Sequence, residues 1–443
     1  MISFTHTEEF TNSRRENDVE MEPCSSEKKT ETTRKVYLPT QPLEEGEELV
    51  CDPSAYKMLH TFETSSPCLS FDILRDSLGE NRDAFPRTAY VVAGTQADQA
   101  KKNKIFVIKL SNLHKTQHDK PVDDDESSSS ESEDEEEDGS KDGKMDFSYV
   151  AHIGCINRIR SFSNGDKNYA AVWSERGMVE IYNLHKLINA VEKPTALKDG
   201  TKKDLNAFFS FNGHQSEGFA MDWSPQTPGQ LATGDCHRNI HVWKPREASW
   251  HVDQRPLNAH RESVEDLQWS PTEKEVLASC SVDKSIRIWD TRKYGAKANV
   301  ITVENAHTSD INVISWNRKE PFIVSGGDDG FVHVWDLRNL KTGGAIATFK
   351  HHKQPITTVE WHPTEESVFA VGGADDQLTI WDLSVEQDAE QAELDDLKDI
   401  PPQLMFIHQG QNDIKELHWH PQIPGTLIST ANSGFNIFQT INV

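Results

Sequence analysis

The chain is 443 residues long, with 27% charged and 35% hydrophobic residues and a net charge of −26. This balance suits a soluble body carrying acidic segments too polar to fold. No stretch approaches the roughly 18 consecutive apolar residues that cross a bilayer, and the opening MISFTHTEEFTNSRREND lacks the apolar run of a secretion signal, so membrane and secreted classes are excluded.

Residues 1–35 are polar and read as a disordered tail, and residues 36–75 as a separate N-terminal segment. Within it LVCDPSAYKMLHTF, 49–62, reads as a short helix, with Asp52 as N-cap and Pro53 at the first helical position. Tyr56, Leu59 and Phe62 then fall along one face. The next stretch, SPCLSFDILRD, reads as an edge strand placed to close the last repeat. Residues 76–443 form the body. TAYVVAGT near residue 90 and KIFVIKL near 110 are strand-like, and an acidic insertion, 119–144, follows them.

Internal periodicity then takes over. Trp243, Trp289, Trp335 and Trp381 are spaced 46 residues apart, each ending a strand-like run (IHVWK, IRIWD, VHVWD, LTIWD). Trp223, Trp269, Trp316 and Trp361 each lie nine residues after a histidine: His214, His260, His307 and His352. Two independent registers that agree define one template. It resembles the WD-repeat family, whose unit is a four-stranded propeller blade. Weaker copies run over 152–184, from His152 to VEIYNL, and over 408–439, where His408 and Trp419 hold register and Phe438 stands for the strand-ending Trp. With the strands near 90–110 these make seven blades. The expected fold is all-β, a seven-bladed WD-repeat β-propeller with an N-terminal helix and disordered acidic segments.

The charge is uneven. Residues 123–138 carry −11, residues 385–399 carry −6 and residues 1–50 carry −6, leaving about −3 for everything else. A nearly neutral ring with acidic arms points to a basic protein partner and away from nucleic acid, whose phosphates the arms repel. The plainer alternative is that the acidity only keeps the protein soluble. The six cysteines (Cys24, Cys51, Cys68, Cys155, Cys236, Cys280) contain no CxxC pair and read as free thiols of the cytosol or nucleus.

Ser, His and Asp recur at blade spacing, which invites a hydrolase reading. Resemblance to the WD-repeat family implies instead a structural clasp, with carboxylate, imidazole, hydroxyl and indole hydrogen-bonded in series. Its members are His260, Ser279, Asp283 and Trp289 in blade four, and His307, Ser325, Asp329 and Trp335 in blade five. A catalytic triad needs one copy beside an oxyanion hole, and there is no GxSxG elbow, so no enzyme activity is expected. The clasp looks eroded in blade three, where His237 stands at the Asp position, and in blade six, where Val371 replaces the hydroxyl; these blades are expected to be softer. His418-Trp419-His420 lacks a third and fourth ligand nearby, and Gly326–Gly330 lacks the lysine and helix start of a phosphate loop, so neither metal nor cofactor is expected.

Two finer resemblances bear on function. The N-terminal segment and the acidic loop 384–402, ending in Pro401-Pro402, resemble the histone-binding WD-repeat class, in which an N-terminal helix and such a loop receive a basic amphipathic helix. The resemblance implies a groove formed by Leu59, Phe62, Asp388, Glu390, Glu393, Asp395, Asp396, Pro401 and Pro402. The run Asp123, Asp124, Asp125, Glu126, Glu131, Glu133, Asp134, Glu135, Glu136, Glu137 and Asp138 makes the chain similar to the glutamate-rich WD-repeat family of ribosome-assembly factors. That likeness implies a nuclear and nucleolar chaperone, monomeric, for a large-subunit ribosomal protein and core histones, acting with pre-ribosomal particles. Ser128, Ser130 and Ser132 each precede an acid by three residues, as acidophilic kinases require. A competing implication comes from Trp289-Asp290-Thr291-Arg292 and Trp335-Asp336-Leu337-Arg338. These WDxR motifs resemble those by which receptors of cullin-type ubiquitin ligases dock an adaptor through Arg292 and Arg338, although solvation of a blade edge is the plainer reading.

Overall fold

The computed structural model describes residues 4–7, 48–116, 142–165, 167–193, 206–341, 344–386 and 400–442. Seven four-stranded antiparallel sheets follow one another along the chain. Blade one is Cys68–Ile73, Arg87–Thr95, Lys104–Leu113 and Lys144–Ala151, and blade two runs from Ile156–Asn164 to Phe209–Phe211. Blades three to six repeat the order, from Ala220–Trp223 to Leu404–His408. Blade seven supplies its inner three strands, Glu416–Trp419, Thr426–Ala431 and Gly434–Thr440, from the C-terminal part of the chain; its outer strand is Tyr56–Glu63. The ring is a WD-repeat propeller closed by pairing early residues with late ones, and no blade is left with an incomplete sheet.

The expected helix over 52–62 is therefore corrected. Asp52 does cap, accepting from Ser54 N at 2.9 Å, but only the 3-10 turn Pro53–Ala55 follows. Tyr56–Glu63 then extends, pairing Leu59 with Phe438 and Phe62 with Phe435. Pairing with an open sheet edge satisfies every second backbone group and buries alternate side chains, which a two-turn helix on the surface cannot match. The stretch read as the closing strand, Cys68–Ile73, is instead the innermost strand of blade one. The one α-helix among the described residues, His185–Glu192, was not anticipated and packs Leu187, Ala190 and Val191 into the wall of blades one and two. Phe4–Thr7, inside the stretch expected to be a tail, pairs with Glu48–Cys51. Among the described residues no helix is long and apolar enough to cross a membrane.

The two tryptophan registers have distinct jobs. Trp243, Trp289 and Trp381 are fully buried within their blades. The other register binds each blade to the one before it. The indole N–H of Trp223 donates to Arg160 O, that of Trp269 to Asp222 O, that of Trp361 to Ser315 O and that of Trp419 to Glu360 O, all at 3.0 to 3.2 Å. Polar side chains of the innermost strands accept backbone N–H groups from the next blade in the same way: Asp72 from Ser161, Asp222 from Trp269, Asp266 from Ile314 and Glu416 from Phe71. Part of the acid content of the body is thus structural.

Candidate functional site

The serine, histidine and aspartate sets form clasps. In blade four the His260 imidazole lies 2.9 Å from Asp283 and 2.7 Å from Ser279 Oγ, which accepts from Trp289 at 2.8 Å. Blade five repeats this through His307, Asp329, Ser325 and Trp335 at 2.8 to 3.0 Å. Burial works to raise the Asp283 and Asp329 carboxyls, and the bonds from their histidines override it, holding both well below the usual carboxylate range. With hydroxyl and imidazole locked in four buried repeats, none of these serines is presented to a substrate.

The expected erosion is corrected in both blades. In blade three Asp235, two residues before His237, takes the His214 imidazole at 2.7 Å, and Thr233 links it to Trp243. In blade six Val371 sits opposite Thr379, and that threonine carries the hydroxyl, 2.9 Å from His352 and 2.8 Å from Trp381 Nε1; Asp375 completes the set. A hydroxyl on either of two paired strands reaches the same point in space. Blade seven departs further: His408 meets Tyr56 Oη at 2.8 Å and Asn436 Nδ2 at 3.1 Å, so the closing strand replaces the aspartate.

A central channel of about 450 Å³ is lined by the innermost strands of all seven blades. Glu416 anchors it, accepting from Arg158 and Arg160 at 2.7 Å each and from Ser70 at 2.7 Å. Burial pushes the Asp222 carboxyl up to about 7. Burial works to lower His418, but neighbouring Glu360, 2.9 Å away, and Glu416 lift it to about 10. His418 is thereby engaged as a cation, while His420 Nδ1 accepts the N–H groups of Gln422 and Ile423. Among the described residues no three potential ligands gather as a metal site. Gly330 lies at φ 73° in the turn of blade five, where an added Cβ would sit 2.9 Å from His352 O.

The proposed groove is rearranged. Leu59 and Phe62 are three apart on a strand and so point to opposite faces: Leu59 packs half-buried beside Met405 between blades six and seven, and Phe62 is buried between blades seven and one. They cannot share one apolar ligand face. Pro401 and Pro402 are half-buried ahead of Leu404–His408. Asp388, Glu390, Glu393, Asp395 and Asp396, the whole run 123–138 and Ser128, Ser130 and Ser132 lie outside the described residues. Their points of attachment are informative. Thr116 N donates to Lys57 O at 3.1 Å, His60 Nε2 meets His114 O at 3.0 Å, and Asn112 Nδ2 donates to Asp142 O at 2.8 Å. Both stems of the acidic insertion are therefore held at or beside the strand Tyr56–Glu63, whose other side faces blade six and the stems of the acidic loop. A cleft of about 490 Å³ lies on that side, with Lys57, Glu365, Asp382, Met405 and Gln439 in its walls. Sequence reasoning missed this convergence because it follows from ring closure; the alternation in YKMLHTFE was the available signal.

Arg292 and Arg338 stay exposed, and each is braced against the aspartate of its own WD pair. Arg292 Nε lies 2.7 Å from Asp290, and Arg338 donates to Asp336 from both Nε and an amino nitrogen, the shortest contact being 2.7 Å.

Seven clasped blades closed by an N-terminal strand define a WD-repeat propeller of the scaffold class, in which the rims and flanks bind other macromolecules. Comparison with known proteins narrows the class. The model for the WD domain, G-beta repeat, matches residues 252–290, 298–336 and 343–382, and that for histone-binding protein RBBP4 and its counterpart in the CAF1 complex matches residues 46–114. Protein HEAT STRESS TOLERANT DWD 1 of Arabidopsis thaliana is 46% identical over 98% of this chain and 97% of its own length. Glutamate-rich WD repeat-containing protein 1 of Dictyostelium discoideum is 47% identical (90% and 83% covered), and ribosome assembly protein rrb1 of Schizosaccharomyces pombe is 41% identical (91% and 84%). The chain belongs to this family of glutamate-rich WD-repeat and ribosome assembly proteins.

Proposed function

We propose that the protein is a non-catalytic scaffold of ribosome assembly that chaperones a basic client, a large-subunit ribosomal protein or core histones, in the nucleus and nucleolus. The observation that carries this reading is the convergence of the two acidic segments on one flank. The insertion around 123–138 springs from the blade-one side of Tyr56–Glu63, and the loop around 388–396 from the blade-six side. Polyanionic segments anchored to a rigid edge compete with RNA phosphates for a lysine- and arginine-rich chain, raise its capture rate and release it at high salt. The name of the rrb1 relative and the match at 46–114 support the two client classes. Affinity purification with and without nuclease, followed by mass spectrometry, tests it: a basic ribosomal protein or histone should persist after nuclease. Recovery only of RNA-tethered proteins that nuclease removes would refute it.

A second reading rests on Arg292 and Arg338, whose guanidinium groups are held outward by Asp290 and Asp336 as docking groups would be. Loss of a ubiquitin-ligase adaptor from the purified complex on Arg292→Ala and Arg338→Ala, with the basic client retained, would support it.

A further inference from the structure

The outermost strand of blade one, Lys144–Ala151, has two unlike faces. Ser148 and Val150 turn inward: the Ser148 hydroxyl donates to Leu187 O at 2.8 Å, and Val150 joins the core beneath the helix His185–Glu192. Met145, Phe147 and Tyr149 turn the other way, toward Phe106 and Ile108 of the neighbouring strand. Phe147 stands edge-on to Phe106 at 5.5 Å yet remains 46% exposed, and Tyr149 meets the same ring at 5.7 Å. Opposite them, Glu63, Thr64 and Ser65 leave the closing strand and form the second wall of a small apolar cleft of about 100 Å³. A half-exposed aromatic ring over a buried apolar floor gains from being covered.

We infer that this cleft receives a single apolar side chain carried on a cationic segment of the client protein. The inference rests on the scaffold reading above and adds an apolar anchor to it. Charge complementarity selects the occupant. Glu63 is exposed at the rim. The insertion that carries −11 over 123–138 leaves the blade after Thr116 and returns at Asp142, three residues before Met145. Of the neighbouring cations, Lys104 is turned over the Tyr149 ring at 4.4 Å, and Lys144 opens the strand. A segment drawn in by the acidic run therefore arrives beside the cleft, where the charges bring it close and the apolar wall fixes its register. The insertion itself is a poor occupant, since Val122 is the only aliphatic side chain in residues 117–141. The size of the cleft suits one side chain rather than a helix face.

Two synthetic lysine- and glycine-rich peptides, identical except for a central Leu or Ser, test this on the full chain. The wild type should bind the Leu peptide about tenfold more tightly, the order expected for burying most of one Leu side chain. Phe147→Ser should abolish that preference while leaving the affinity for the Ser peptide unchanged. Phe208→Ser, at another exposed aromatic ring, should keep the preference, and deleting 123–138 should weaken both peptides alike. Equal affinities in the wild type, as when the cleft is filled by the chain itself or by a second copy, would overturn the inference, and so would a preference that survives Phe147→Ser. Binding of neither peptide would overturn the basic-client reading along with it.

Discussion

Thr379 stands directly across the sheet from Val371 and delivers to His352 the hydroxyl that Val371 cannot. Its oxygen also accepts the Trp381 indole N–H, so one side chain holds two buried partners. Thr379→Val, nearly isosteric, should destabilise the propeller by about 1–3 kcal/mol, because both partners are left unsatisfied. Asp283→Ala in blade four should cost a similar amount. Urea unfolding measures both; an unchanged midpoint for Thr379→Val would show that the clasp in blade six contributes nothing.

The channel network predicts a larger effect. Glu416 is buried, with Arg158 and Arg160 both drawn to it. Removing one partner of a buried ionic group leaves uncompensated charge, so Glu416→Ala should cost about 3–5 kcal/mol. Replacing the exposed Glu63 should leave unfolding almost untouched. Similar midpoints for the two variants would remove the channel from the account of stability.

Histidines set the acid limit. Burial lowers His362 and His333 to about 4 and His408 and His420 to about 3. Each is therefore neutral in the folded chain, whereas the unfolded chain binds its proton near the ordinary value of about 6.5. Stability from these groups is complete above that value and declines as pH falls toward 4 and 3. His418, raised to about 10, works in the opposite sense, and its contribution declines as pH rises through 10. His362 caps a turn by accepting from Thr364 N and Glu365 N, the role Asn317 Oδ1 plays for Lys319 N and Glu320 N. His362→Asn should thus keep its stability at pH 7.5 and lose less of it by pH 5. Equal losses for variant and wild type would assign the acid sensitivity elsewhere.

The ring was legible because tryptophan and histidine recur at fixed spacing, and spacing survives without knowledge of tertiary contacts. Position-by-position matching failed where the fold offers two routes to one point. Asp235 and Thr379 fill clasp sites from neighbouring positions that a linear template scores as gaps. The segment 52–62 was misread for a related reason. Asp52 and Pro53 are true start signals, but the deciding partner, Gly434–Thr440, lies almost 380 residues away in the chain and leaves no local mark. The same distance hid the approach of the two acidic segments to one strand.

Deleting residues 123–138 should leave the ring intact, since the stem bonds of Thr116 and Asn112 lie outside the deletion. Binding of core histones should weaken, and the wild-type advantage should shrink as salt rises, because exposed charges act through a screened field. Unfolding of the variant, or unchanged affinity at low salt, would contradict this.

Leu59 and Phe62 lie on opposite faces of one strand, and this separates stability from binding at the other acidic segment. Phe62 is buried between blades seven and one, so Phe62→Ala should cost about 3–5 kcal/mol, the usual range for emptying a buried aromatic site. Affinity for core histones per folded molecule should not change. Leu59 is only half-buried beside Met405, on the side facing blade six, so Leu59→Ala should cost less stability and weaken histone binding with little change in its salt dependence, apolar area being lost rather than charge. Asp395→Asn with Asp396→Asn should do the reverse, slowing association and flattening the salt dependence while leaving unfolding unaltered. Stopped-flow association at two salt concentrations, read beside urea unfolding, distinguishes the three variants. If Leu59→Ala and the double Asn variant both bind as the wild type does, the client uses neither side of the blade-six flank, and the acidic insertion with the cleft beside Phe147 remains as its route of capture.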